Sequence, residues 1–245
     1  MRNQLENKVV VIAGSAGLLG NEFVRLCNER GAIVIEADIK NEHSGHRYPL
    51  DITNEESISS LISDVTLKHG RIDAWVNTAY PRTADWGLKL EDIPFDSWRR
   101  NIDMHLNGYF LCSQLVLRLM MEQGHGSIIQ IASIYGVVGP DFSIYNGTEM
   151  TMPAAYSAIK GGLVNMTRYM AAYGGPRGVR VNTLSPGGIL DGQPASFQAA
   201  YNAKLPLGRM GVPRDISGVL AFLISDDASY ITGQNIIVDG GWTAI

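Results

Sequence analysis

A short apolar segment, a glycine-rich turn and a helical pattern follow one another directly at residues 8–31, and this succession constrains the fold most. Residues 8–13 are largely apolar and β-branched, as in strands that are buried on both faces of a parallel sheet. Apolar residues at helical spacing follow the turn and continue to Gly31. Because parallel strands need a crossover connection, usually a helix, the segment predicts an α/β fold.

The turn at residues 14–20 carries three glycines at the start of the predicted helix. Glycine allows a tight turn and a close approach of the backbone, and the free N–H groups and dipole of a helix start attract phosphates. The pattern favours a dinucleotide pyrophosphate site over a plain strand-to-helix turn. The predicted cofactor contacts in this turn are Gly14, Gly17, Leu18, Leu19 and Gly20.

The next predicted strand, residues 32–38, ends in Asp38. A carboxylate at this place can accept hydrogen bonds from both adenosine ribose hydroxyls, and it repels a 2′-phosphate. NAD(H) is therefore favoured over NADP(H), while Lys40 is a nearby cation that weakens the preference. Ile39 is predicted to contact the same part of the cofactor.

Further strands at residues 72–77, 126–133, 178–185 and 235–239 alternate with predicted helices. Helices are expected at 53–69, opened by a capping box from Thr53 to Glu56, at about 97–121, from 154 and from Pro213. The alternation predicts a doubly wound parallel sheet of about seven strands with helices on both faces. Since no internal repeat or linker interrupts it, residues 1–245 are expected to form a single domain, with a cofactor half at about 1–125 and a catalytic and substrate half at about 126–245.

Composition restricts the partners. The formal net charge is -4 and basic residues are scattered, so neither nucleic acid nor anionic lipid is expected to bind. No apolar run approaches the ~20 residues that span a bilayer, and residues 1–8 contain no signal-peptide core, so we expect no membrane association and a cytoplasmic location. Cys27 and Cys112 both lie in apolar helical patterns, which favours core positions over a disulfide, and no metal site is expected.

Tyr156 and Lys160 are four residues apart in a segment with a helical pattern. Residues at this spacing lie on the same face of a helix. A nearby ammonium stabilises a phenolate and lowers the tyrosine pKa from its usual value of about 10, which makes a general acid/base at neutral pH. The spacing is common in chains where it has no catalytic meaning, and it gains weight here from the rest of the sequence.

Three long connections are expected to have functional roles, as part of the substrate wall, as a loop beside Tyr156 and as a lid over the cofactor. Residues 79–94 leave the carboxyl end of a predicted strand, where ligands bind in such sheets. Residues 134–153 are rich in Gly, Pro and Tyr, and residues 189–211 predict a mobile lid over the cofactor. The predicted substrate contacts are Tyr80, Tyr145 and Thr148.

Several motifs occur together in a defined order. They are Gly14/Gly17/Gly20, Asp38, Asn77-Thr-Ala, Ser133, Tyr156-x-x-x-Lys160, Asn182-x-x-x-Pro186-Gly and Val238-Asp-Gly-Gly. Over nearly the whole chain they resemble the short-chain dehydrogenase/reductase family, which implies a single-domain Rossmann fold and NAD(P)-dependent chemistry at CH–OH groups. The resemblance implies that Tyr156 is the acid/base, that Lys160 lowers its pKa and binds the nicotinamide ribose, and that Ser133 holds the reacting oxygen. Further cofactor contacts implied in this way are Asp51, Ile52, Asn77, Ala79, Tyr156, Lys160, Pro186, Gly187 and Ile189.

Four features depart from the family pattern. Gly17 and Leu18 change the spacing of the glycines, and Tyr80 stands where a glycine usually lies near the nicotinamide. His105 aligns with the fourth catalytic residue, usually Asn, and is either part of a proton relay or a helix histidine satisfied by backbone. The segment between Ser133 and Tyr156 is longer than usual by roughly ten residues, which predicts an inserted loop that shapes the substrate site.

Residues 77–82, 145–153 and 185–191 are similar to family members from bacterial flagellin and surface-glycan modification clusters, which implies a sugar or sugar-derived substrate. The main hypothesis is an NAD(H)-dependent oxidoreductase that interconverts a secondary alcohol and a ketone on such a small molecule. One alternative is a 3-oxoacyl-(acyl carrier protein) reductase. Such an enzyme would usually prefer NADPH, which the Asp38 carboxylate disfavours. Another is a dinucleotide-binding protein without catalysis. The helices at about 97–121 and from 154 resemble the family's dimer interface, so a homodimer or homotetramer is expected.

Overall fold

The computed structural model describes residues 4–245, so Met1, Arg2 and Asn3 of the polar chain start lie outside the described residues. The strands are β1 (Val9–Ala13), β2 (Ile33–Asp38), β3 (Arg47–Pro49), β4 (Ala74–Asn77), β5 (Gly126–Ile131), β6 (Val179–Pro186) and β7 (Asn235–Val238). Within residues 4–245 they form one seven-stranded, all-parallel sheet in the order β3-β2-β1-β4-β5-β6-β7. The prediction of a doubly wound sheet of about seven strands is confirmed, and its reversal lies between β1 and β4.

Helices cover both faces of this sheet, as predicted. They are α1 (Leu18–Glu29), α2 (Glu55–His69), α3 (Phe95–Ile102), α4 (Gly108–Gln123), α5 (Ala154–Gly174), α6 (Ala195–Asn202) and α7 (Pro213–Ile224). Alternate side chains of β1 enter different cores: Val9 and Val11 pack with α2, α4 and α5, whereas Val10 and Ile12 pack with α1 and α7. The period-two alternation of a strand therefore serves two hydrophobic layers at once. The division into a cofactor half and a catalytic half stays a prediction.

The long helix predicted at about 97–121 is present over residues 95–123, but it is not α-helical throughout. A π-helical segment, Asp103–Asn107, separates α3 from α4. Such segments carry one extra residue per turn and occur frequently at functional sites. This segment contains His105, so the backbone is irregular at a predicted catalytic position.

The predicted cap of α2 is also wrong by one residue. The Asn54 side chain accepts a hydrogen bond from the Ser57 backbone N–H at 2.9 Å. Thr53 instead donates its hydroxyl to the Asp51 carboxylate at 2.7 Å, because that acceptor lies two residues away. Asn and Thr both suit a helix start, and the local geometry decided between them.

Two glycines hold the first turn against β4. Gly14 has a φ of +93°, and a Cβ atom there would lie 2.4 Å from the Ala79 backbone nitrogen. A Cβ atom at Gly20 would lie 2.1 Å from the Gly14 carbonyl oxygen. Neither position has room for a side chain. The turn therefore packs closely against the chain that leaves β4 at Gly14, and α1 packs closely against the turn at Gly20.

The two other long connections pack on each other. Residues 189–211, predicted as a polar lid, contain α6, and its Phe197 and Tyr201 are buried. They form a small core with Ile144 and Tyr145 of the 134–153 segment. This packing anchors both segments at the same edge of the sheet.

Two sequence expectations concern features outside this edge. Cys27 and Cys112 are free and fully buried, which confirms their prediction as core residues. No helix within residues 4–245 is long and apolar enough to cross a membrane.

Candidate active site

A cavity of about 1060 Å³ opens at the carboxyl edge of the sheet. It receives residues from the ends of β1, β2, β4, β5 and β6 and from the start of α5. The sequence-predicted residues that line it are Gly14, Gly17, Leu18, Leu19, Asp38, Ile39, Asp51, Ile52, Ala79, Tyr80, Ser133, Tyr145, Tyr156, Lys160, Pro186, Gly187 and Ile189. The fold therefore gathers most of the predicted site into one space.

Gly20, Asn77, His105 and Thr148 do not line this cavity. Asn77 is fully buried, and its amide donates to Ser113 Oγ at 3.0 Å and to Gln130 Oε1 at 2.9 Å. Its side chain thus joins β4 to α4 and β5 and supports the cavity wall from behind.

Thr148 is occupied in its own turn. Its hydroxyl donates to the Tyr145 carbonyl at 2.8 Å and accepts from the Met150 backbone N–H at 3.1 Å. The structure therefore gives Thr148 a part in shaping the inserted loop, and Thr151 of the same loop faces the cavity. The sequence did not distinguish the two threonines, because only the turn geometry decides which hydroxyl faces inward.

One end of the cavity combines a helix start with an acid. The α1 helix begins after Gly17 without a side-chain cap and without an acidic residue in its first turn, so its N–H groups can receive an anion. Asp38 accepts backbone N–H groups from Ala16 and Lys40, both at 3.0 Å, one on each carboxylate oxygen. Each oxygen keeps a further acceptor position. These groups fit the pyrophosphate and adenosine ribose of a dinucleotide.

The other end holds the predicted catalytic residues. Tyr156 and Lys160 lie on the same face of α5 and both line the cavity, as their spacing predicts. Lys160 Nζ donates to the Ile131 carbonyl at 2.9 Å and lies 5.4 Å from the centre of the Tyr156 ring. Burial lowers the pKa of Lys160 to about 7.

His105 contacts Lys160 from behind the cavity. Its Nε2 lies 3.2 Å from Lys160 Nζ, and burial together with the Lys160 charge holds the His105 pKa well below its usual range. The imidazole is then neutral and accepts through Nε2, which places its proton on Nδ1. Among the described residues, this Nδ1 has no hydrogen-bond partner. The contact of His105 is therefore with a side chain, whereas the simpler sequence reading expected backbone.

The pKa of Tyr156 is raised in this structure, mainly because the phenol is buried, and a hydrogen bond with Ser133 acts in the opposite direction. The sequence predicted the reverse, a pKa lowered by Lys160. Burial disfavours the phenolate. Burial also lowers the pKa of the Lys160 amine, so a smaller fraction of it carries the positive charge that was expected to stabilise the phenolate. The expectation concerned local charge alone and did not account for desolvation.

Tyr80, which replaces the usual glycine, lies beside this cluster. Its ring makes edge contacts with Tyr156 at 5.8 Å and with His105 at 5.5 Å, measured between ring centres. The Trp86 indole N–H donates to the Tyr80 hydroxyl at 2.9 Å. The connection after β4 thus forms an aromatic wall next to Tyr156, as its position in the sequence predicted.

Sequence reasoning missed several cavity residues. They are Tyr135, Met150, Met152, Phe197, Tyr201 and Met210. Phe197 and Tyr201 occur at helical spacing, which could have indicated an amphipathic α6. The Tyr201 hydroxyl accepts a hydrogen bond from the Gly188 backbone N–H at 2.6 Å. This bond joins α6 to the end of β6 across 13 residues, so no local sequence pattern predicts it.

Among residues 4–245, no group of three or more His, Cys, Asp or Glu side chains is arranged to hold a metal ion. The chemical groups that line the cavity fit an organic dinucleotide. They are the free N–H groups at α1, the Asp38 carboxylate and the Lys160 amine.

Comparison with known proteins gives matches along almost the entire chain. The family model described as "Enoyl-(Acyl carrier protein) reductase" matches residues 14–243. The "Post-translational flagellin modification protein A" of Campylobacter coli is 34% identical over 253 residues, which cover 97% of this chain and 99% of that protein. The 3-oxoacyl-[acyl-carrier-protein] reductase FabG of Thermotoga maritima is 32% identical, with coverage of 97% and 98%. The structure of a short chain dehydrogenase from Leptospira borgpetersenii with bound NAD+ is 36% identical, with a TM-score of 0.89 and coverage of 98% and 94%.

The buried Lys160 amine predicts a dependence of stability on pH. Its pKa falls from 10.5 in the unfolded chain to about 7 in the folded protein, so between these values the unfolded chain binds more protons. The free energy of unfolding should therefore rise with pH across this window, by about 1 kcal/mol per pH unit. Below pH 7 both states are protonated and the dependence disappears. The Lys160→Met variant should lack this rise.

Urea unfolding at pH 7, 8 and 9 measures the effect as the difference between wild type and Lys160→Met. The exposed Lys89 provides the control, since the difference between wild type and Lys89→Met should stay constant with pH. A constant difference for Lys160→Met would show that the amine is not desolvated in the folded protein.

Proposed function

This chain belongs to the short-chain dehydrogenase/reductase family, and on that premise we propose that it is an NAD(H)-dependent enzyme that interconverts a secondary alcohol and a ketone on a sugar or sugar-derived substrate. The substrate would belong to surface-glycan or flagellin modification. The observation that carries the proposal is one cavity with a dinucleotide-binding turn and Asp38 at one end, and Ser133, Tyr156 and Lys160 at the other. A cytoplasmic location is part of the proposal, and cell fractionation tests it.

The catalytic end supports proton transfer coupled to hydride transfer. When bound, the nicotinamide would supply the hydride acceptor or donor. Tyr156 would take the hydroxyl proton during oxidation and return it during reduction, while the Ser133 hydroxyl holds the reacting oxygen. As an ammonium, Lys160 has three N–H donors, and Ile131 and His105 occupy two of them, so the third would serve the nicotinamide ribose.

A sugar-derived substrate is supported by the lining of the cavity and by a relative. Thr151 offers a hydroxyl group, and Arg82 and Asp191 offer charged groups, beside aromatic and apolar side chains. The Campylobacter coli relative is described as a flagellin modification protein, and similarity to it extends along nearly the whole of both chains. Both observations favour a polar ring compound over a simple alkyl chain.

The alternative is a ketoreductase that resembles 3-oxoacyl-(acyl carrier protein) reductases. The Thermotoga maritima relative and the description of the family model favour it. Asp38 argues against it, because a carboxylate that lines the adenosine end opposes the 2′-phosphate of NADPH. A non-catalytic dinucleotide-binding role is less consistent with this site, since all three residues of the predicted acid/base group line the cavity.

Tyr156→Phe tests the proton transfer. The substitution removes the phenol oxygen but little volume, so kcat should fall at least ~100-fold while NAD affinity changes little. Steady-state kinetics on a verified substrate and calorimetry with NAD measure the two effects. Tyr230, which is fully exposed and lies outside the cavity, gives the matched control, and Tyr230→Phe should leave kcat unchanged. Normal turnover by Tyr156→Phe would place the chemistry elsewhere.

The cofactor and substrate proposals share one assay. The absorbance of NADH is followed with a panel of sugars, sugar derivatives and acyl thioesters, each with NAD(H) and with NADP(H). We expect activity on sugar-type compounds and a preference for NAD(H), because Asp38 repels the extra phosphate. Asp38→Ala should reduce this preference. Faster reaction of acyl thioesters with NADPH would favour the alternative, and equal binding of both cofactors would refute the role of Asp38.

We also infer self-association through α4 and α5. Phe110 of α4 and Tyr169 and Tyr173 of α5 expose 43%, 70% and 60% of their surface, which is high for large rings on neighbouring helices. A homodimer or homotetramer would bury them. Light scattering should report a multiple of the 26.7 kDa chain mass. A monomer at micromolar concentration would contradict the inference.

A further inference from the structure

We propose that Arg82 recognises an anionic group on the substrate, a carboxylate or a phosphate, so that the alcohol handled by this site belongs to an acidic compound. The inference rests on the proposed function, since it concerns the substrate of the same cavity. Arg82 follows β4 on the connection that also carries Tyr80, and both side chains line the cavity.

The guanidinium of Arg82 lies over the Tyr80 ring. The distance from Arg82 Cζ to the ring centre is 4.9 Å, and the Tyr80 ring centre lies 5.8 Å from that of Tyr156. The sum of these distances places the guanidinium no farther than about 10.7 Å from the Tyr156 ring centre. A substituent a few bonds away from the reacting carbon of a ring compound can span such a distance.

The Arg82 guanidinium is preorganised for ligand binding. The contact with the Tyr80 ring and a hydrogen bond to the Tyr80 side chain both restrain the Arg82 guanidinium, while most of its five N–H donors stay free. The Tyr80 ring is itself held by the hydrogen bond from Trp86. A restrained planar fork loses little entropy when it binds a carboxylate or phosphate through two parallel hydrogen bonds.

Arg82 also lacks a competing acid. Within residues 4–245, no carboxylate lies within ion-pair distance of Arg82, whereas Arg25, Arg71 and Arg209 pair with nearby acids. Of the other cations that line the cavity, Lys160 is buried on Ile131 and His105, and Lys40 is next to Asp38 at the adenosine end. Arg82 is hydrogen-bonded to the Tyr80 side chain, which uses one of its five N–H donors. It is therefore the cation at the substrate end that keeps further donors for a ligand.

One acidic residue of the cavity favours the opposite charge on the substrate. Asp191 of the lid also lines the cavity and forms no ion pair among the described residues. A substrate with an ammonium group would use Asp191 and would be repelled by Arg82. The two side chains thus predict opposite preferences for the charge of the substrate, which an experiment can separate.

The test is calorimetry on the NADH-loaded protein with four compounds that share one ring: glucose, glucuronate, glucose 6-phosphate and glucosamine. We expect glucuronate or glucose 6-phosphate to bind at least about tenfold more tightly than glucose, as expected for a charge-assisted bidentate contact. The preferred acid distinguishes carboxylate from phosphate. Arg82→Gln should abolish the preference, and Arg82→Lys should keep only part of it because lysine lacks the planar fork.

Two variants serve as controls. Arg177→Gln removes an exposed arginine outside the cavity and should keep the wild-type preference. Asp191→Asn should not weaken the binding of the acids, since it removes a negative charge from the same wall.

Several results would overturn the proposal. For the wild type, they are equal affinity for glucose and its acidic analogues, or tightest binding of glucosamine. Binding of none of the four compounds at about 10 mM, on the order of the weakest affinities of interest, would also overturn it. For Arg82→Gln, the contrary result is an equal loss of affinity for all compounds. A weaker affinity of Arg82→Gln for NADH would assign the arginine to the cofactor instead. The dehydrogenase function is tested separately, by measuring whether the wild type oxidises a neutral secondary alcohol with NAD. Such turnover would support the proposed function whichever way the Arg82 experiment ends.

Discussion

The burial of the Lys160 amine is the interaction on which the catalytic end depends. An amine removed from water is costly unless polar partners receive its N–H groups. The Ile131 carbonyl and His105 Nε2 supply these partners at 2.9 Å and 3.2 Å. The amine therefore ties α5 to the end of β5 and to the π-helical segment, and a shift of any of these elements would leave a buried donor unpaired.

The π-helical segment has a clear structural consequence. It lies between α3 and α4 and places His105 in the buried space beside Lys160 of α5. The preceding helix, α3, fixes the connection after β4, because Asn101 accepts the Thr83 backbone N–H and Ser97 donates to Asp85. The contact of His105 with Lys160 and the aromatic wall are thus attached to one helical unit.

The substrate side is built by two connections that pack on each other. Tyr145 of the inserted segment contacts Phe197 of α6 at 5.3 Å between ring centres, and an ion pair joins Asp141 to Lys204. The shape of the cavity therefore depends on both segments together. Because its residues include rings, thioethers and a few polar groups, the cavity suits a ring compound held by shape and oriented by a small number of polar contacts.

Features set by local sequence were predictable. Apolar runs that alternate with helical patterns determined the parallel sheet, the glycine turn marked one end of the cavity, and the spacing of Tyr156 and Lys160 put both on one helix face. Each of these depends on residues close together in the chain, for which the period of the helix or strand decides direction. The carboxyl edge of the sheet as the site follows from the same alternation.

Only the tertiary structure decided the rest. His105 and Lys160 meet across a separation of 55 residues, Asn77 is turned into a buried network, and Thr148 is retained by its own turn. Burial, which raises the pKa of Tyr156 where charge alone predicted a lower one, is set by the packing of distant elements. The sequence by itself determined which residue types reach the edge of the sheet, and the folded packing decided which side chains face the cavity and how burial shifts their pKa values.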